Sequence, residues 1–171
     1  MTDASNDNQH YHPNPLQYLK DVQLDEKTIT RRSPEIEHEK KVAIFDLLQR
    51  NLFEPSDGLT GPYILNISVA DGKRLIFSIT HAISNEHLRS NILSLSPFRK
   101  LIRDYFQICE SYFDAIKKLT PNQIETIDMA RRGIHNEGAE LLRERLDGKI
   151  TMDLHTARRL FTLICVLHIK N

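Results

Sequence analysis

The chain's 171 residues are 40% hydrophobic, which suffices for one compact domain with a real core and makes two separate domains a poor fit. Lysine plus arginine equals aspartate plus glutamate at 23 each, so no global basic field drives nonspecific nucleic-acid binding, and only a local basic patch remains open. The two cysteines, Cys109 and Cys165, lie in the apolar runs FQIC and LFTLICVL; that placement points to buried thiols in a reducing compartment, with a single buried disulfide as the alternative.

Residues 1–20, MTDASNDNQHYHPNPLQYLK, hold no apolar segment and no cleavage pattern, so a cytoplasmic location is expected. Their Asp, Asn, Gln, His and Pro content buries too little to offset ordering entropy. A disordered polar leader over 1–17 is therefore expected, followed by a single domain over 18–171. His10 and His12 in that leader lack the further ligands of a closed metal site. From Tyr18 to Leu24 the chain alternates, Val22 and Leu24 against Asp21 and Gln23, as a short strand does.

A helix follows from Ser33, with Pro34 at its first position, Glu35 and Glu37 in its first turn, and an apolar stripe of Ile36, Ala43, Ile44, Leu47 and Leu48. Asp57-Gly58 and Gly61-Pro62 mark a loop, and YILNISVADGKRLIFSI then reads as a hairpin. A two-residue Asp71-Gly72 turn would oppose apolar and polar faces. A three-residue Ala70-Asp71-Gly72 loop instead pairs Ile67 with Leu75, Leu65 with Phe77 and Tyr63 with Ile79. His81 to Asn91 reads as a polar loop, and Ile92 to Leu95 as a short third strand or the extended entry to a helix.

The C-terminal half is helical. Ser96-Pro97 opens a helix to about Leu119 whose apolar residues cover a wide arc, so it touches more than one neighbour. Thr120-Pro121 opens the next, Gln123 completes a capping box, and the short connection implies an antiparallel pair ending at Asp147-Gly148. After a brief extended piece, KITM, Asp153 caps a last helix through Ile169 that is apolar nearly all round and therefore central. Its longest apolar stretch, Leu160 to Ile169, is about half of the roughly 20 residues that span a bilayer, so it reads as core and no membrane role is expected. The expected fold class is α+β, a small antiparallel sheet (hairpin plus N-terminal strand) packed against a mainly helical C-terminal layer.

RRGIHNEGAELLRER, Arg131 to Arg145, interrupts a helical pattern with two glycines. On a helical wheel Ile127, Ala130, Ile134, Gly138, Leu141 and Leu142 share one arc, so Gly138 is on the packed face, where losing about 1 kcal/mol of helix propensity commonly accompanies a close approach. If either glycine broke the helix, exposed amides at the bend could hold an anion. Arg131 falls within or beside the arc and His135 at its edge. Asp104, Glu110 or Asp114 on the preceding helix are the expected partners in a structural ion network.

The functional alternative is a phosphate-binding or nucleic-acid-processing cluster of Arg131, Arg132, His135, Asn136 and Glu137, with Arg158 and Arg159 helping to hold phosphate. Such an Arg and His pairing resembles that of the small helical HEPN ribonucleases. The separation of Arg131 and His135 is shorter than in that superfamily, which argues against it. Glu35-x-x-His38 has the spacing of carboxylate-bridged di-metal bundles but occurs once, so neither metal nor other cofactor is expected, and His168 reads as a core histidine. No phosphate loop, nucleophile elbow, zinc-spaced cysteine pair or dinucleotide fingerprint is present in the sequence.

With SPEIEHEKKVAIFDLL, SPFRKLIRDYFQICESYFDAI, RRGIHNEGAELLRERL and TARRLFTLICVLHI in this order, the chain from about Leu24 to Ile169 resembles uncharacterised protein family 0262, short alphaproteobacterial proteins. The resemblance implies a bacterial cytoplasmic protein and carries over no activity, cofactor or catalytic residue. The function expected from the lack of a complete catalytic constellation is a non-enzymatic protein-binding or regulatory domain, with an unidentified protein partner favoured over nucleic acid.

Overall fold

A computed structural model describes residues 12–26 and 33–168. The elements in chain order are β1 (Leu19–Leu24), α1 (Pro34–Gln49), β2 (Phe53–Pro55), β3 (Tyr63–Ala70), β4 (Arg74–His81) and β5 (His87–Ser94). A 3-10 turn at Ser96–Phe98 leads to α2 (Arg99–Lys118), α3 (Pro121–Arg145), β6 (Ile150–Met152) and α4 (Leu154–Leu167). The α+β class holds. β1, β3, β4 and β5 form one sheet in that order, while β2 and β6 pair separately with Phe53 opposite Met152 and Pro55 opposite Ile150. The main sheet is mixed: β3, β4 and β5 are antiparallel, but β1 joins β3 in parallel, Val22 opposite Leu65 and Leu24 opposite Ile67. A parallel neighbour needs a crossover, and α1 supplies it.

The hairpin register is one of two that keep apolar residues opposite apolar ones. The expected frame is displaced: Ile67 pairs with Phe77, Leu65 with Ile79, Tyr63 with His81 and Ala70 with Arg74. Alternation cannot separate frames two residues apart, because both preserve the faces. The turn decides. Asp71 and Gly72 both take left-handed backbone (φ 56° and 64°), the Lys73 amide donates to the Ala70 carbonyl at 3.0 Å, and Arg74 donates to the Asp71 carboxylate at 2.8 Å. β5 overturns the expected polar loop from His81, since only the turn after His81 is irregular and the chain is a strand from His87.

The inner face of the sheet, Leu65, Ile67, Leu75, Phe77 and Ile79, is fully buried, as are Leu160, Phe161, Leu163, Ile164, Cys165 and Val166 of α4. α4 packs against α1, α3 and β3 and is the central helix. Ser33 caps α1, its side chain accepting from the Ile36 amide at 3.2 Å, and Asp153 caps α4 by accepting from Thr156 at 2.9 Å. Both cysteines are buried and free, so the disulfide alternative is not realised. Among the described residues no helix is long and apolar enough to cross a membrane. Residues 1–11 of the expected leader, His10 included, and the last expected helical residue, Ile169, lie outside the described residues. His12 stacks on Tyr18 at 3.9 Å, and buried Gln17 accepts a hydrogen bond from the Tyr63 hydroxyl at 2.8 Å.

Candidate functional site

α3 starts with a complete capping box: Thr120 accepts from the Gln123 amide at 3.4 Å, and Gln123 accepts from the Thr120 amide at 3.1 Å. From there the helix runs unbroken through both glycines. An anion site made of exposed amides at a bend is therefore absent. Gly138 instead faces Phe161 of α4, and an added Cβ would lie 2.5 Å from that ring, whereas Gly133 has open space around it. Gly138→Ala is expected to lower stability by about 1 kcal/mol, the overpacking cost exceeding the gain in helix propensity. Gly133→Ala is expected to raise it by about 0.5 to 1 kcal/mol. Urea unfolding of the two variants checks the sign reversal.

Close packing of α3 on α4 sets the direction of the turn before Gly138, and that turn carries the site. A cleft of about 620 Å³ lies among α1, α2, α3 and α4. Arg131, Arg132 and His135 reach it from α3, Arg158, Arg159 and Thr162 from α4, Glu39 and Val42 from α1, Tyr112 and Ile116 from α2. Of the seven residues singled out from the sequence, the fold brings five together here. Asn136 and Glu137 are exposed and stand outside the cleft.

Each arginine has a different electrostatic situation. Arg131 donates to Glu39 at 2.8 Å, approaches Asp128 at 3.4 Å, and lies 4.4 Å over the Tyr112 ring, with its side chain only 19% exposed. Burial opposes its charge, but Glu39 chiefly, with Asp128 behind it, outweighs that and holds the guanidinium above its ordinary value. The partner is thus on α1 and not among Asp104, Glu110 or Asp114, because a helical wheel gives a residue's direction and not which helix lies there. Exposed Arg132 pairs with the other oxygen of Asp128 at 2.8 Å, and Arg159 pairs with Asp46 at 3.4 Å. Arg158 has no carboxylate partner among the described residues; its Nε is buried without a hydrogen bond, as are those of Arg131 and Arg159, so the missing carboxylate is what sets it apart. Burial first, then the Arg159 and Arg132 cations, push its guanidinium below the ordinary value.

His135 is buried between Tyr105 and Phe161, with ring centroids 5.2 and 6.5 Å away. Its Nε2 is 3.2 Å from the Thr162 hydroxyl oxygen, which is also 3.2 Å from the Arg158 carbonyl. Both contacts are hydrogen bonds only when Thr162 donates to the carbonyl and His135 donates from Nε2. Burial, then Arg131, Arg158 and Arg159, lower its pKa to about 4. At pH 7 only about one ring in a thousand is then protonated, so His135 is not a store of protons for general-acid chemistry. Nor is there a thiolate nucleophile, since burial pushes the Cys109 thiol up to about 11.

The site's unforeseen members left a faint trace in the sequence. Glu39 continues the spacing of Ile36, Ala43 and Leu47 and so is a carboxylate on an apolar stripe, and Thr162 is a lone hydroxyl in LFTLIC. His38 also lines the cleft, but Glu35 opens into a different hollow, so the two do not share a site. Among the described residues no group of three His, Cys, Asp or Glu side chains is placed to hold a metal ion. His168 is the half-buried C-cap of α4 and not a core residue.

Uncharacterised protein family UPF0262 matches residues 16–170. The chain is similar to a UPF0262 protein of Rhizobium meliloti strain 1021, 59% identical over 150 residues that cover 88% of this chain and 93% of the relative. It is similar also to UPF0262 proteins of Hyphomonas neptunium, 58% identical over 147 residues (86% and 90% of the two chains), and of Rhodospirillum rubrum, 58% identical over 153 residues (90% and 93%). No solved structure matches.

Proposed function

The chain belongs to the uncharacterised protein family UPF0262, and from its own side chains we propose that it is a non-catalytic protein that binds a phosphate-bearing anion in the four-helix cleft. The observation that carries this reading is Arg158. The cleft and its rim contain four arginines, and three carboxylates answer them: Glu39 for Arg131, Asp128 for Arg131 and Arg132, Asp46 for Arg159. A half-buried guanidinium left without a partner costs stability, and a forked donor of this kind matches phosphate geometry. Neutral His135 and protonated Cys109 supply neither acid nor nucleophile, which favours binding over turnover.

Calorimetric titration of the full chain with inorganic phosphate tests the reading. Arg158→Gln is expected to weaken phosphate binding at least tenfold, the effect of losing a charge-assisted bond. Its unliganded stability should equal or exceed that of the wild-type chain, since an unpaired cation near Arg159 and Arg132 has gone. A wild-type chain that fails to bind phosphate, or a variant that binds it equally well, removes the reading.

A further inference from the structure

The cleft is larger than one phosphate group needs and lies within the roughly 300 to 1,000 Å³ usual for small organic ligands. Its walls differ in kind. Arg132, Arg158 and Arg159 line it from α3 and α4, while Val42 of α1 and Ile116 of α2, 40% and 54% exposed, line it with half-buried Phe113. A single exposed aliphatic residue means little. Two from different helices, in the same concavity as an unpaired guanidinium, form a surface for a ligand with two chemical ends.

We infer that the anion held in this cleft is amphipathic, a phosphate ester with an apolar organic part of about aryl size, its phosphate on Arg158 and its apolar part against Val42 and Ile116. The inference rests on the anion-binding reading above and adds the identity of the ligand's other half. Charge also limits the head. Glu39 and Asp128 line the same cleft, and of its four guanidiniums only that of Arg158 lacks a carboxylate among the described residues, so a polyphosphate would bring excess negative charge against both acids. The site suits a head of one phosphate group. The aromatic neighbour already covered by a cation, Tyr112 under Arg131, is left out of the apolar wall.

Three probes separate the possibilities in calorimetric titrations of the full chain: inorganic phosphate, phenyl phosphate and tripolyphosphate. Phenyl phosphate is expected to bind roughly tenfold tighter than inorganic phosphate, reflecting one ring face removed from water, and tighter than tripolyphosphate. Ile116→Ser should bring the ratio of phenyl phosphate to phosphate affinity close to one. Met129→Ser, on an exposed α3 side chain outside the cleft, should leave that ratio as it is. Equal affinity for phosphate and phenyl phosphate in the wild-type chain, a tighter tripolyphosphate, or a ratio indifferent to Ile116→Ser overturns the amphipathic ligand while leaving anion binding intact. Absence of binding by all three probes overturns both.

Discussion

Replacing Asn51 with leucine is expected to cost about 3 to 5 kcal/mol, the largest loss from any single substitution proposed for this chain. Asn51 is fully buried just past the end of α1. Its Oδ1 accepts from the Leu19 amide at 2.6 Å, and its Nδ2 donates to the carbonyls of Leu19 at 3.0 Å and Leu47 at 2.9 Å. One side chain thus satisfies a terminal carbonyl of α1 and both backbone groups at the start of β1, the strand that α1 connects in parallel to β3. Leucine fills a similar volume, so the loss comes from three buried polar groups without partners and not from a cavity. Urea unfolding measures it, and a loss below about 1 kcal/mol would mean that water or a local shift replaces the asparagine. Asn51→Asp should also destabilise, because a carboxylate would face two carbonyl oxygens.

That clamp shows which parts of the fold were legible in the sequence. Helix ends with a local cause were readable: the Ser33, Thr120 and Asp153 caps each satisfy an amide within three residues, and all three form. The central place of α4 was readable too, since a helix that is apolar all round has no solvent face to spare. Features set by distant residues were not. Asn51 meets Leu19 across 32 positions, and an asparagine after a helix looks like an ordinary turn residue. β5 was concealed for a related reason. It is an edge strand, so its outward residues His87, Ser90 and Ser94 can remain polar, and polarity at an edge resembles polarity in a loop. The parallel pairing of β1 did have a signal, a helix between two strands, which is the usual requirement of a parallel crossover.

The candidate site was half legible on the same grounds. The helical wheel correctly directed Arg131 and Gly138 toward packed neighbours, because a 3.6-residue period fixes direction within a helix. It could not say that α1, 92 residues away, would supply the carboxylate for Arg131. Nor could it distinguish Arg158 from Arg159, adjacent residues of which the second meets Asp46 and the first meets no acid among the described residues. The residue that carries the proposed function was thus visible as a candidate, and its distinguishing property, the missing counter-ion, arises only when four helices come together.

Acidification from pH 7 to pH 4 is expected to remove about 3 kcal/mol of stability through His135 alone. The folded pKa is about 4, against 6.5 for the free side chain. Between those values the unfolded chain binds the extra proton, so stability rises with pH: it is fully present above pH 6.5 and is lost as pH falls toward 4. The cause lies in the charges and apolar groups around the ring. Burial against Tyr105 of α2 and Phe161 of α4 comes first, the cations Arg131, Arg158 and Arg159 follow, and Asp128 opposes them weakly. His135→Gln removes the titration, so although the variant is expected to be less stable at pH 7, having lost the imidazole packing, the gap should close or invert by pH 4. Urea unfolding of both chains at several pH values measures the slope difference, and parallel curves would mean that the imidazole is solvated. A difference in slope would bear on the cleft as well: a folded ring with a pKa of about 4 is neutral at pH 7 and adds no second uncompensated cation beside Arg158, so the cleft keeps a charge suited to one phosphate head throughout the neutral range.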